Sequence, residues 1–355
     1  MSERISVNVL TGFLGSGKTS LLNRLLRDPL FSNCAVLINE FGDIGIDHHL
    51  VGAIEGDVVL LPSGCICCTI RGDLSAAMRD LYDRRDRGEV PAFTRLVVET
   101  TGLADPTLVL STVKYDRVLQ HHFRIGTVIT TVDLVNGQLN LERFPECQKQ
   151  VALADRLVIT KLDIADSTLL PVLCEKLAQV NPSAPFLLLD PLYLNAIELM
   201  GGDVFDLSSK SEEVNRWLEA PVQRHYFSSV ETQESAQPAN AHRGILAFAL
   251  DLTESIDWTV FSVWLSLLLE AHGERVLRVK GLLNVEGSDT PVVIHGVQQM
   301  MHPPSHLERW PDDSRHSKLI FIVKDLAHGV VEKSLKAFLN EYSLVHVHEP
   351  NYTPI

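Results

Sequence analysis

A chain of 355 residues, 45 % hydrophobic and 21 % charged, exceeds one ordinary domain and has the apolar mass for more than one core, which excludes a disordered chain. Its formal charge of −14 excludes the basic face that a nucleic-acid partner requires and repels an anionic membrane surface. The start, MSERISVNVL, lacks the pattern of a secretory leader, and Trp258–Leu269, broken by Thr259, Ser262 and Ser266, is too short to cross a bilayer, so a cytoplasmic protein is expected.

Up to about residue 190, short apolar runs alternate with longer amphipathic segments. Strands are expected at Ile5–Leu10, Ala35–Asn39, Val58–Leu61, Leu96–Glu99, Thr127–Val132, Leu157–Thr160 and Phe186–Leu189. Most are continuous apolar runs, the pattern of strands covered on both faces. Helical periodicity falls between them at Ser20–Arg27, Leu74–Arg85, Pro106–Tyr115 and Leu169–Val180. This βαβ rhythm predicts an α/β domain over residues 1–206, with a mostly parallel sheet and ligands at the carboxyl ends of its strands. Residues 207–242 are polar and broken and are assigned to a linker. A second rhythm fills 243–355: strand Ile245–Leu252, helix Trp258–Ala271, strands Val276–Val285, Val292–Met300 and Leu319–Val323, and helix Val331–Tyr342. The turn signal EGSDTP joins two of those strands as a hairpin, which predicts a smaller C-terminal α/β domain with an antiparallel sheet.

Residues 12–19 read GFLGSGKT, the P-loop pattern, between an apolar strand and an amphipathic helix. Gly12, Gly15 and Gly17 allow the tight turn that aims backbone N–H groups at phosphate oxygens, with Ser16 and Ser20 in the same nucleotide-binding set. Lys18 brings a positive charge to the β and γ phosphates, Thr19 is placed to hold Mg²⁺, and the helix N-terminus adds partial positive charge. In RLVVETTG, Glu99 closes a strand and Gly102 follows three positions on. A carboxylate there can hold Mg²⁺ through water, and Gly102 can offer its N–H to the γ-phosphate. Thr160-Lys161-Leu162-Asp163 has the [NT]KxD form of a guanine-reading loop. Asp163 can accept from both N1–H and the 2-amino group of guanine, a donor pair that adenine lacks, and the Lys161 stem can lie along the base. GTP is therefore expected over ATP.

Of six cysteines, Cys34, Cys147 and Cys174 stand alone, while Cys65, Cys67 and Cys68 crowd into GCICC. Without an export signal such a cluster reads as metal-binding or reactive thiols rather than a disulfide framework. Arg71 and a helix-like start near Asp73 favour thiolates. Three thiolates leave a tetrahedral ion one ligand short, which suits an ion to be handed on. Soft sulfur favours Zn²⁺ or Cu(I) over magnesium and leaves Co²⁺ and nickel open. The pairs His48-His49 and His121-His122, and His346 with His348, read as surface or polar-core histidines.

These motifs together resemble the CobW-type GTPases, relatives of the metallochaperone GTPases of nickel enzymes within the SIMIBI class. The matching pieces are GFLGSGKT, NEFGDIGID at 39–47, GCICC at 64–68, ETTGLADP at 99–106 and TKLD at 160–163, with Lys280-Gly281-Leu282, IHGVQ and HSKLIFI in the C-terminal domain. The resemblance implies GTP hydrolysis coupled to delivery of zinc, cobalt or a similar ion to a client metalloprotein, and it is compatible with a nucleotide-dependent homodimer. It also implies that NEFG is a switch segment in which Glu40 positions the attacking water or contacts the metal, beside Lys18 and Glu99 as the other catalytic candidates. Several zinc-linked members carry a histidine-rich stretch, and this sequence has none. The expected mechanism is a switch in which GTP and Mg²⁺ order 39–47 and 99–105 and gather the three cysteines. The competing readings are an ATPase or small-molecule kinase with structural zinc, and a thiol redox sensor that binds nucleotide only as a ligand.

Overall fold

The apolar runs of the first half become the strands of one parallel sheet. The chain was analysed as a computed structural model, which describes residues 4–31, 33–39, 59–63, 71–189, 199, 214, 224–227, 244–312 and 314–345. It divides into two units, Met1–Trp217 and Leu218–Ile355.

In the first unit the order is β1 (Ile5–Gly12), α1 (Lys18–Leu25), β2 (Cys34–Asn39), β3 (Val59–Ser63), α2 (Arg71–Asp86), β4 (Arg95–Glu99), α3 (Thr107–Tyr115), α4 (Leu119–His122), β5 (Phe123–Asp133), α5 (Gly137–Arg143), α6 (Pro145–Leu153), β6 (Arg156–Thr160), α7 (Leu169–Val180) and β7 (Phe186–Leu188). The sheet runs β3-β2-β4-β1-β5-β6-β7, with every neighbouring pair parallel. Every residue of β1 is buried, because both faces are covered. Leu10 and Val158 pack with Leu21, Leu22 and Leu25 of α1 on one side. Leu157 and Ile159 pack with Val151, Leu173 and Leu177 on the other. That two-sided burial is why these strands read as continuous apolar runs. The central position of β1 puts the loop that follows it between the loops after β4 and β5.

The second unit contains β8 (Arg224–Phe227), β9 (Ile245–Leu252), α8 (Trp258–His272), β10 (Val276–Leu283), β11 (Val292–Val297), β12 (Met300–Met301), β13 (Ser305–His306), β14 (Ser317–Lys324) and α9 (His328–Val345). Its sheet runs β12-β11-β10-β14-β9-β8, with β13 also beside β11. The pairs are antiparallel except β8 with β9. β8 lies within 207–242, so the stretch assigned to the linker contains a strand of this sheet. The hairpin at EGSDTP is present, with Leu283 opposite Val292 and Gly287 at φ +75°. The strand expected through Met300 instead stops at Val297. It turns through Gln298, at φ +51°, and returns with Val297 opposite Met300. Gly281 has no room for a side chain, since a Cβ there would lie 2.7 Å from both Ile294 and Leu319.

Asp257 caps α8 by accepting from Val260 N at 2.9 Å. The helix then buries Phe261, Trp264, Leu265, Leu268 and Leu269 against Phe248 and Phe321 of the sheet. Trp264 is 1 % exposed and donates from Nε1 to Ser334 Oγ of α9 at 3.0 Å. Trp264→Ala is expected to destabilise this unit by about 3–5 kcal/mol, through lost burial and the cavity left behind. Urea unfolding followed by far-UV circular dichroism checks this, and an unmoved transition would refute it.

Candidate functional site at the carboxyl edge of the parallel sheet

β1 ends at Gly12, and the chain turns through residues 13–17 into α1. Gly12, Gly15 and Gly17 have φ of +143°, +69° and +91°, conformations that side chains resist. Gly12 is also sterically required, because a Cβ there would lie 2.3 Å from Thr131 Oγ1 and 2.7 Å from Ser16 Oγ. Hydroxyls form the floor of the loop. Ser16 Oγ and Thr131 Oγ1 lie 2.6 Å apart, and Thr160 Oγ1 donates to Ser16 O at 2.7 Å. The base-reading and phosphate-binding motifs are thereby in direct contact. Lys18 Nζ donates to Gly12 O at 3.0 Å and Phe13 O at 3.1 Å, which holds the ammonium across the loop. Gly15 and Ser20 are exposed.

Parallel pairing sets Glu99 of β4 opposite Leu10 of β1 and Ile38 of β2. Its carboxylate is 3 % exposed, and Oε1 accepts from Thr19 Oγ1 at 2.8 Å. A hydroxyl and a buried carboxylate side by side are hard oxygen donors of the kind Mg²⁺ takes. Gly102 lies against the phosphate loop, where a Cβ would be 2.6 Å from Leu14 N and 2.7 Å from its Cα.

The TKLD motif starts at the end of β6. Thr160 is buried, Lys161 has φ +61°, and Asp163 is exposed. Lys161 Nζ lies 3.5 Å from Asp133 Oδ2, and the other oxygen of that carboxylate accepts from Asn136 N at 2.6 Å. Asp133 is absent from the sequence-derived set. Its signal is the one that marked Glu99, an acid closing an apolar parallel strand.

Cys65, Cys67, Cys68 and Glu40 lie outside the described residues, as do His48, His49, His346 and His348. Their approach is described: Asn39 of β2 and Ser63 of β3 pair at the carboxyl edge, one residue beyond the level of Glu99. Cys34 opens β2 at the opposite edge, where it is 1 % exposed. Burial pushes its thiol up to about 12 and does the same at Cys147, where the Asp133 carboxylate adds to it. Both are protonated structural thiols. Among the described residues no group of three or more His, Cys, Asp or Glu is arranged to hold a metal. His122 stacks on Tyr82 at 4.0 Å, a packing role.

Residues 6–188 match the family described as CobW/HypB/UreG, nucleotide-binding domain, and residues 245–339 match the Cobalamin synthesis protein cobW C-terminal domain. The chain is 33 % identical over 318 residues to the zinc chaperone YjiA of Escherichia coli, covering 90 % of this chain and 93 % of that protein. It is 26 % identical over 353 residues to the zinc-regulated GTPase metalloprotein activator 1 of Schizosaccharomyces pombe, covering 91 % and 83 %. The crystal structure of Zn(II)-bound YjiA GTPase from E. coli aligns with a TM-score of 0.69 at 27 % identity, over 94 % of this chain and 99 % of that one. No helix among the described residues is long and apolar enough to cross a membrane.

Proposed function

This chain belongs to the CobW/HypB/UreG family of nucleotide-binding proteins, and we propose that it hydrolyses GTP to control a transition-metal site from which an ion is delivered to a client metalloprotein. The observation that carries the reading is the meeting of Thr19 and Glu99 at 2.8 Å beside Lys18 and Gly102, at the sheet edge where β2 and β3 also end. Backbone N–H groups of residues 13–19 cradle the phosphates, and Lys18 supplies the charge that compensates them. Thr19 and Glu99 would hold Mg²⁺, which on binding neutralises the β and γ oxygens. Gly102 gives its N–H to the γ-phosphate, Asp163 reads guanine, and Asp133 steadies Lys161 beneath the base.

The cargo site is assigned to Cys65, Cys67 and Cys68, and the ion to zinc, with cobalt as the second candidate. Support comes from the names of the relatives and from the thiol-rich motif two residues beyond Ser63. Glu40, next in sequence after Asn39, is assigned to the attacking water or to the metal. β2 pairs with β4 at Ile38 and Glu99, and β3 pairs with β2, so the edge ordered by a γ-phosphate is the one from which both runs continue in sequence. A complete swing of the metal site requires the two nucleotide states to differ by about 5.5 kcal/mol in metal affinity.

Zinc affinity tests this by competition with a chromogenic chelator, in Mg²⁺ with a non-hydrolysable GTP analogue and then with GDP. The expected result is a tight site with the analogue, a weaker one with GDP, and loss of the tight site in Cys67→Ala. Equal affinity in both nucleotide states would sink the switch.

A further inference from the structure

Two adjacent side chains on α6 grip the loop after β4. Gln150, 1 % exposed, donates from Nε2 to the carbonyls of Gly102 and Ala104, each at 3.1 Å. Two carbonyls facing one nitrogen fix the orientation of the carboxamide, because only its NH₂ has two hydrogens to give. Beside it, Lys149 Nζ lies 2.6 Å from Asp105 Oδ2, while Asp105 Oδ1 accepts from Thr107 N at the start of α3.

The helix bearing these groups is itself anchored. Asn181 Nδ2, fully buried after α7, donates to the carbonyls of Val151 and Ala154 at 2.8 and 2.9 Å, with Ala152 O at 3.3 Å sharing one of its two hydrogens. These oxygens lie in and just after the last turn of α6, where carbonyls run short of helical partners, although Val151 O also accepts from Ala154 N at 3.2 Å. Thr130 Oγ1 of β5 donates to the Gln150 carbonyl at 2.9 Å. The segment 102–105 therefore hangs from a helix fixed to the strand and helix beside it. Lys149 is partly exposed, so its ion pair contributes little. The buried carboxamide is the stronger hold.

We propose that Gln150 is a positioning residue for GTP recognition, restricting rotation at Gly102 so that its N–H is already placed for a γ-phosphate. The inference rests on the reading of Gly102 as a γ-phosphate contact. Glycine has the widest backbone freedom of any residue, and a loop that pivots there must be ordered when the triphosphate binds. Gln150 removes part of that cost in advance by holding the carbonyls on both sides of Leu103. GDP has no phosphate at this position, so its binding is insensitive to the hold.

The test uses the full chain in Gln150→Met, which keeps length and apolar volume but donates nothing, alongside Gly102→Ala. With two neutral hydrogen bonds removed, affinity for a non-hydrolysable GTP analogue is expected to fall about tenfold in Gln150→Met, with a matching rise in KM for GTP and kcat near wild type. GDP affinity should stay near wild type, while the melting temperature falls by a few degrees because two loop carbonyls lose a buried donor. Equal losses for both nucleotides would reduce Gln150 to general packing, and no loss for either would remove it from recognition; both overturn the proposal. If Gly102→Ala lowers the analogue-to-GDP affinity ratio and Gln150→Met does not, the assignment to Gln150 alone fails. If the affinities for the analogue and for GDP both stay at wild type in Gly102→Ala, although its Cβ meets Leu14 of the phosphate loop, the γ-phosphate reading of Gly102 has failed. Should the Met variant not fold, Gln150→Asn carries the same test, because it keeps the carboxamide but is one methylene too short to hold both carbonyls, and it is expected to lower the ratio.

Discussion

Lys18→Ala is expected to lower GTP turnover by about 10²–10³-fold at saturating nucleotide, the loss typical when one preorganised charge-stabilising group is removed. The ammonium sits at 3.0 and 3.1 Å from the carbonyls of Gly12 and Phe13, within the phosphate loop. No other cation in the motif can take its place, because residues 12–19 carry a single basic side chain. Lys18→Arg should not restore activity, since a planar guanidinium is a poor substitute for a compact ammonium between two carbonyls. The hydroxyl floor beneath the loop does not depend on Lys18, so the melting temperature should change little. Phosphate release under single-turnover and steady-state conditions reads the effect. A turnover within a few-fold of wild type would mean that this loop is not where the triphosphate is cleaved.

The second large effect is on base choice. Asp163→Asn is expected to weaken GTP binding by roughly 10²–10³-fold, since hydrogen bonds to a charged group contribute about 1.5–3 kcal/mol each. The variant should gain on xanthosine triphosphate. Xanthine keeps the N1–H but carries a carbonyl where guanine has its 2-amino group, and a carboxamide presents the matching acceptor and donor. ATP binding, which makes no use of this pair, should not respond. Exposed Asp163 can meet a base without rearrangement of the core. Competition among GTP, XTP and ATP for a fluorescent guanine nucleotide measures the exchange. Parallel weakening toward all three would place the base elsewhere.

Sequence alone carried the parallel domain far because its strands are buried on both faces. A run such as RLVVE or RLVIT has only one structural solution once helices flank it. The same logic reached Glu99 and the P-loop, where backbone geometry itself dictates the glycines. It faltered where the deciding contact is distant. α6 has no clear apolar stripe in PECQKQ to announce it before the chain is folded, although Pro145 is a regular first-turn residue. The turn at Gln298 carries no glycine or asparagine to announce it, and the strand Arg224–Phe227 is too short to stand out from its polar surroundings. Gln150 is the instructive omission. Nothing in QKQVALAD marks one glutamine as the donor to Leu141 O, seven residues back, and the next as the donor to a loop 46 and 48 residues away.

The strand order also governs how this chain emerges from a ribosome. β1 is synthesised before either of its neighbours, which begin at Arg95 and Phe123, yet it occupies the interior of the finished sheet. At translation rates of about 5–20 residues per second, its apolar edge waits roughly 5–25 s for a partner. During that interval ISVNVLTG is an unpaired hydrophobic strand of the kind that recruits holding chaperones or a neighbouring nascent chain. Synonymous changes that slow decoding between α2 and β5 would lengthen the exposure without altering a single residue of the mature protein.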